Sequence, residues 1–307
     1  MKRKLFFLLV FLYIVFSLSG QGYCKERYIA DSLYRFRQYP EALGYYKNLL
    51  SDIAKRKDLY KIAVCYGCME QRDSSVYYFN RALEKGFYYP SGFGLEKDRN
   101  LAFPREETGY EVYLNKLKEN RLQYIHVKDS VLYRELMAKK ETDQFYRHAI
   151  SRMQKSDSTD TPLYRHYLAE SRKSDSLHML FLDSLLNQYG CWLGLDLVGW
   201  DGDEAVWVIA QHADNFVGFQ EKCLRFLREA DQQENTNPHN VAYLYDRIQI
   251  NKGGLQRYGT QMWIIDNKVD FIRLEDEHHL EYYRACYQLP PVYIYKKALE
   301  GRYLKNE

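Results

Sequence analysis

The side chains best suited to chemistry gather between positions 212 and 261 of the 307-residue chain. The run His212-Ala213-Asp214 is followed by Gln220, then by Asp246-Arg247, then by Gln256 and Tyr258-Gly259-Thr260-Gln261. A carboxylate beside an imidazole holds one tautomer and raises the ring's affinity for a proton, so His212 and Asp214 read as a candidate acid and base. Such a pair acts only where a pocket brings substrate within hydrogen-bond distance. Arg247 offers a planar fork for a carboxylate or phosphate, and the amides of Gln220, Gln256 and Gln261 both donate and accept. Gly259 permits a tight turn between Tyr258 and Thr260. The same residues admit a structural reading, with Asp246 and Arg247 as an ion pair or cap and the amides satisfying open backbone groups.

The expected scaffold for these residues is mainly α. Gly199 to Asp203 reads as an acidic, turn-prone loop before a helix carrying Ala205, Trp207, Val208, Ile209 and Ala210. Upstream, Glu107 to Met153 repeats apolar residues such as Val131, Leu132, Leu136 and Phe145 at helical intervals. The polar stretch Lys155 to Thr161 breaks that pattern, Pro162 can begin the next helix, and Leu163 to Tyr189 stops at Gly190. Downstream the period shortens. Gln261 to Asp266 and Val269 to Leu274 flank Asn267-Lys268 and predict a small β-hairpin. A helix over Tyr282 to Tyr287 and a helical tail beyond Pro290-Pro291 complete the chain.

Two segments about 33 residues apart share one spacing. Ile29, Ala30 and Leu33 are followed by Ala42, Tyr46 and Leu49; Leu59, Ile62, Ala63 and Tyr66 are followed by Ser75, Phe79 and Ala82. This resembles the tetratricopeptide repeat over residues 26 to 88, with Glu26 and Phe87 departing from its usual tryptophan and proline. Small residues let paired helices approach and aromatics fill the seam. The repeat reads equally as a helical spacer and as a surface for a peptide or partner. Tyr89-Pro90-Ser91-Gly92-Phe93-Gly94 marks a loop after it.

The polar pattern also resembles a bacterial family of unknown function found mostly in exported proteins. The resemblance runs from Val131 to Leu299 and rests on Trp207, His212-Ala213-Asp214, Gln220, Ala242-Tyr243-Leu244 with Asp246-Arg247, Gln256, Tyr258-Gly259-Thr260-Gln261 and Arg284 before Leu289-Pro290. It implies a shared domain and a common site, without an activity.

Residues 1 to 20 have the basic, apolar and small-residue order of a secretory signal segment, and the apolar stretch of about 14 residues is shorter than the ~20 needed to span a bilayer. Export to the periplasm or medium is therefore expected. Cys24 offers a lipid anchor as the less favoured alternative, because Tyr23 stands where a small residue is usual. The expected division is 1–20 signal peptide, 21–100 repeats, 101–130 helical connector and 131–302 C-terminal helical domain.

Lys2, Arg3 and Lys4 account for the whole formal charge of +3, so nothing in the charge balance calls for nucleic acid. Six cysteines are too sparse for a disulfide-built fold, and Cys65-Tyr66-Gly67-Cys68 reads chiefly as a structural pair, with redox chemistry or zinc as alternatives. The 30 tyrosines suit helix seams. There is no Gly-x-Ser-x-Gly elbow, no phosphate loop and no His-Glu-x-x-His helix. No cofactor is expected; joining His212 and Asp214 to His278 or His279 around a metal is not demanded by the spacing. The reading is an exported binding or interaction protein with a ligand or protein partner, and the alternative is an exported enzyme using His212 and Asp214.

Overall fold

The computed structural model describes residues 26–50, 55–89, 95, 98, 100–101, 110–156, 158–265 and 268–303. The signal segment expected at 1–20, Cys24 and the loop expected at 90–94 lie outside them. The described chain is mainly helical with one two-stranded antiparallel sheet. It forms two compact units, one of residues up to 122 with 278–295, the other of 123–277 with 296 onward.

The first unit carries α1 (26–35), α2 (Tyr39–Asn48), α3 (Arg56–Cys68), α4 (Arg72–Glu84) and α5 (Tyr110–Ile125). Helices α3 and α4 pack closely, because Ala63, Ser75 and Ala82 are small and fully buried, and the Ser75 hydroxyl donates to the Ala63 carbonyl at 2.8 Å. Phe79 fills the adjoining core. Tyr60 and Tyr89 line the seams with their rings and find an acceptor for their hydroxyls. Tyr60 stacks on Phe87 at 4.4 Å between centroids, and the Tyr60 and Tyr89 hydroxyls both donate to Asp98. Arg27 and Asp58 form a buried bidentate pair, and Asp58 also accepts from the Lys55 N–H at the start of α3. The same unit holds α11 (Leu280–Cys286).

The second unit contains α6 (Ser130–Lys155), α7 (Pro162–Tyr189), α8 (Leu195–His212), α9 (Val217–Gln232), α10 (Pro238–Asn251), β1 (Met262–Ile265) and β2 (Lys268–Phe271); α12 (Val292–Tyr303) closes the chain. Local sequence sets the helix ends. Asp129 caps α6 by accepting from the Val131 and Leu132 N–H groups. Thr161 caps α7 ahead of Pro162, and Gly190, with φ +68°, ends it in the left-handed conformation. Leu132 and Leu136 turn inward and Val131 and Phe145 outward, so the buried stripe of α6 packs on α7 and α8.

Two boundaries differ from the sequence reading. Gly199 to Asp203 is no open loop: α8 is helical on both sides of a kink at Gly199, whose φ of +69° and ψ of −175° suit glycine alone. Lys268, expected in the turn, lies inside β2, paired with Ile265.

The five described cysteines at 65, 68, 191, 223 and 286 are all free thiols. Burial pushes the Cys65 thiol up to about 12, so this side chain is held as the neutral thiol.

Candidate functional site

The candidate residues are set around the C-terminal end of α8. His212 is its last residue, Ala213 its cap, and Asp214 follows as the chain turns toward α9. The last carbonyls of a helix lack intrahelical partners. Gln220 of α9 supplies them: its side chain is fully buried and its amide donates to Ala210 and Gln211 carbonyls at 3.2 and 3.1 Å.

The imidazole and the carboxylate named together from the sequence hold different partners. Asp214 receives Arg247 of α10 in a bidentate pair, Nε to Oδ1 at 2.8 Å and Nη2 to Oδ2 at 2.5 Å, and the Asn251 amide at 2.9 Å. Burial pushes the Asp214 carboxyl up, but the hydrogen bonds and charge of Arg247 outweigh it and hold the pKa below its ordinary value. The remaining Arg247 nitrogen, Nη1, donates to Gln261 Oε1 at 3.2 Å. The fork anticipated for a ligand is thus occupied within the chain.

His212 instead places Nδ1 2.8 and 3.0 Å from the two oxygens of Asp143, in the middle of α6. Asp143 is 3 % exposed. Arg147, one turn on, lies with Nε 3.1 Å from Asp143 Oδ1 and 2.9 Å from the same His212 nitrogen, and its Nη2 reaches Asp175 of α7 at 2.7 Å. Nδ1 cannot donate to Asp143 and accept from Arg147 at once. Nε of arginine is always a donor and Asp143 Oδ1 already accepts from it, whereas an unprotonated Nδ1 would set a lone pair against a dehydrated carboxylate. The proton therefore belongs on Nδ1. Nε2 then carries the ring's lone pair, and it has no hydrogen-bond partner among the described residues.

Burial raises the Asp143 carboxyl, yet the hydrogen bond and charge of His212 and the charge of Arg147 bring it below the usual carboxylate value. Asp175 is shifted the other way, by burial and then by the neighbouring Asp143 charge. His178, also on α7, is lowered by burial and by the positive charges of Lys139 and Arg147. The His212 neighbourhood is thus a network of alternating charge on three helices, with the imidazole side chain 19 % exposed.

Asp246 and Gln256 hold backbone, the Thr260 hydroxyl braces Asp246, and Tyr258 packs as a buried ring. The buried Asp246 carboxylate accepts from the N–H groups of Arg257, Tyr258 and Thr260 at 2.8, 3.0 and 3.0 Å and from the Thr260 hydroxyl at 2.9 Å. Gln256 donates to the carbonyls of Gln261 and Ile272 and accepts from the Gln261 N–H at 2.9 Å, which fastens the loop to the base of the hairpin. Tyr258 is buried with its ring edge-on to Tyr245. Asp246 does not pair with its neighbour Arg247. Arg284 belongs to the first unit, where its Nε donates to the Pro290 carbonyl at 2.8 Å and its guanidinium covers the Tyr295 ring.

Sequence reasoning missed Asp143, Arg147 and Asp175. One signal was present: Asp143 falls on the Leu132 and Leu136 face of α6, and a carboxylate on a buried stripe requires a partner. Among the described residues no group of three or more His, Cys, Asp or Glu side chains is placed to hold a metal ion.

A model of a family of unknown function matches residues 130–306. No curated protein and no solved structure matches the chain.

Proposed function

The chain belongs to that family, DUF6624, whose function is unknown, and we propose that its domain binds a small polar ligand at the His212 face, with Nε2 of the imidazole as the group that meets it. One observation carries this reading: His212 Nδ1 lies 2.8 Å from Asp143 Oδ1, a contact that fixes the ring and, with the proton on Nδ1, leaves Nε2 with a lone pair on a side chain that is partly exposed. Asp214, Gln220, Arg247 and Gln261 contribute by holding the end of α8 in place, and Asp246, Gln256, Tyr258 and Thr260 by holding the loop that brings Gln261 to Arg247. The segment at 1–20 and the helical first unit suit an exported binding or interaction protein, and no nucleic acid is required.

The same dyad favours a second reading, an acid–base enzyme in which His212 Nε2 takes or gives a proton and Asp143, rather than Asp214, stabilises the imidazolium. Both readings pass through one atom, and one experiment serves both. The full chain is screened by thermal shift against carboxylates, phosphate esters and amino acids, beside His212→Gln and Asp214→Asn. A compound that raises the wild-type midpoint and the Asp214→Asn midpoint, with no effect on a folded His212→Gln, supports the site. No response from any compound, with His212→Gln strongly destabilised, makes the network structural and removes both readings.

A further inference from the structure

A second polar feature of the C-terminal unit shares no residue with the His212 network. Asp203, buried on α8, gathers donors from the segment entering α10: the Thr236 hydroxyl at 2.9 Å, the Asn237 N–H at 3.3 Å and the Asn240 amide at 3.5 Å, with the Trp192 indole N–H at 2.6 Å. These contacts brace a cavity of about 160 Å³ between α8 and α10. Its aromatic walls are Trp207 and Tyr243, edge to face at 5.9 Å between centroids, and Trp200. Trp200 is 43 % exposed, so part of its ring is open to solvent.

Two polar groups on residues that line this cavity lack a partner among the described residues, and they suggest what would fill it. The Trp207 indole N–H is buried and has no acceptor among the described residues. A buried donor left unpaired is costly, so its partner is to be sought outside the protein chain. Because the Asn240 Nδ2 is turned to Asp203, its Oδ1 is left as an acceptor on the same lining. A leftover donor and a leftover acceptor fit a hydroxyl, which satisfies both at once. The carboxylates do not ask for a cation: Asp203 already accepts from four residues, and Glu204 pairs with Lys140 at 2.7 Å. A quaternary ammonium would also leave the Trp207 N–H unsatisfied.

We infer that this cavity is a binding site for a neutral, hydroxyl-bearing ring of single-sugar size, with Trp200 as the stacking face, Trp207 Nε1 as donor and Asn240 Oδ1 as acceptor. The volume agrees in scale, lying below the roughly 300–1,000 Å³ of sites for drug-sized ligands. Asp203 is a positioning residue here, holding Asn237 and Asn240 against the wall.

Isothermal titration of the full chain with D-glucose, D-galactose and N-acetyl-D-glucosamine, with tetramethylammonium as the cationic control, tests the site. At least one sugar should bind with an affinity near the millimolar range. Trp207→Phe keeps the ring and removes the N–H, and Trp200→Ala removes an exposed face; each should weaken binding by about tenfold, the effect of one lost contact. His212→Ala should leave sugar binding unchanged, which separates this site from the one proposed above. No saturable sugar binding up to about 50 mM would overturn the inference. Binding of tetramethylammonium in place of sugar would overturn it too, as would sugar binding that both tryptophan variants retain.

Discussion

His212 Nδ1 lies 2.8 Å from Asp143 Oδ1, so the last residue of α8 is tied to the middle of α6 across 69 positions of sequence. The contact fixes the rotation of the ring and the place of its proton. It also gives the buried Asp143 carboxylate a second partner beside Arg147.

Asp143→Asn should lose about 2–4 kcal/mol of stability at neutral pH, because Arg147 and His212 forfeit a buried anionic partner. Asp143 has a lowered folded pKa, so its contribution is present above the unfolded value near 4 and is lost as pH falls through the folded one. Urea unfolding at several pH values should therefore show wild type and variant diverging above pH ~4 and converging below it. A constant difference would contradict the assignment.

Asp214 and Arg247 call for a smaller effect. Their side chains are 37 % and 31 % exposed, and solvent screens the pair. Arg247→Ala should cost about 1 kcal/mol by the same denaturant measurement, and Arg247→Lys should recover only part of that, since a lysine cannot reproduce the bidentate fork.

Asp246 serves four donors in the loop after α10. Asp246→Ala should cost roughly 3 kcal/mol or more, since several buried donors lose their acceptor together. Hydrogen exchange locates the damage: the Arg257, Tyr258 and Thr260 amides should lose protection, while amides in α6 and α7 keep theirs. Protection retained at Tyr258 and Thr260 would show that the carboxylate does not order this loop.

Gly199 stands at φ +69° and ψ −175°, a region closed to residues with a Cβ. Gly199→Ala should lower stability by about 1–3 kcal/mol, measured as the shift in unfolding midpoint, whereas Gly218→Ala, helical and with open space at its Cβ, should be neutral or stabilising.

Much of the architecture was legible because it depends on near neighbours. Thr161-Pro162 and Gly190 fix the ends of α7, and the shortened period on either side of Asn267-Lys268 gives the two strands of the hairpin, though Lys268 belongs to β2; each is a property of a few adjacent residues. The polar cluster was half legible. Its members are all engaged, but the grouping of His212 with Asp214 followed chain proximity, and two residues on at a helix end the backbone has already turned away. Asp214 reaches α10, while His212 looks back to α6. The true partner, Asp143, carries no motif and is marked only by its register with Leu132 and Leu136. Gln220 and Gln256 illustrate a further limit, since an amide that recognises a ligand and one that satisfies a carbonyl have the same composition and differ only in what the fold puts beside them.

The proton on the His212 ring is the most direct measure of the account. Nitrogen-15 chemical shifts of the neutral imidazole, read by long-range proton–nitrogen correlation, separate the two tautomers. The structure requires a protonated Nδ1 and a bare Nε2 in the wild type, with that preference weakened in Asp143→Asn. A wild-type ring protonated at Nε2 would mean that Nδ1 accepts from Arg147, that Asp143 does not hold the imidazole, and that His212 does not present the lone pair on which its proposed role depends.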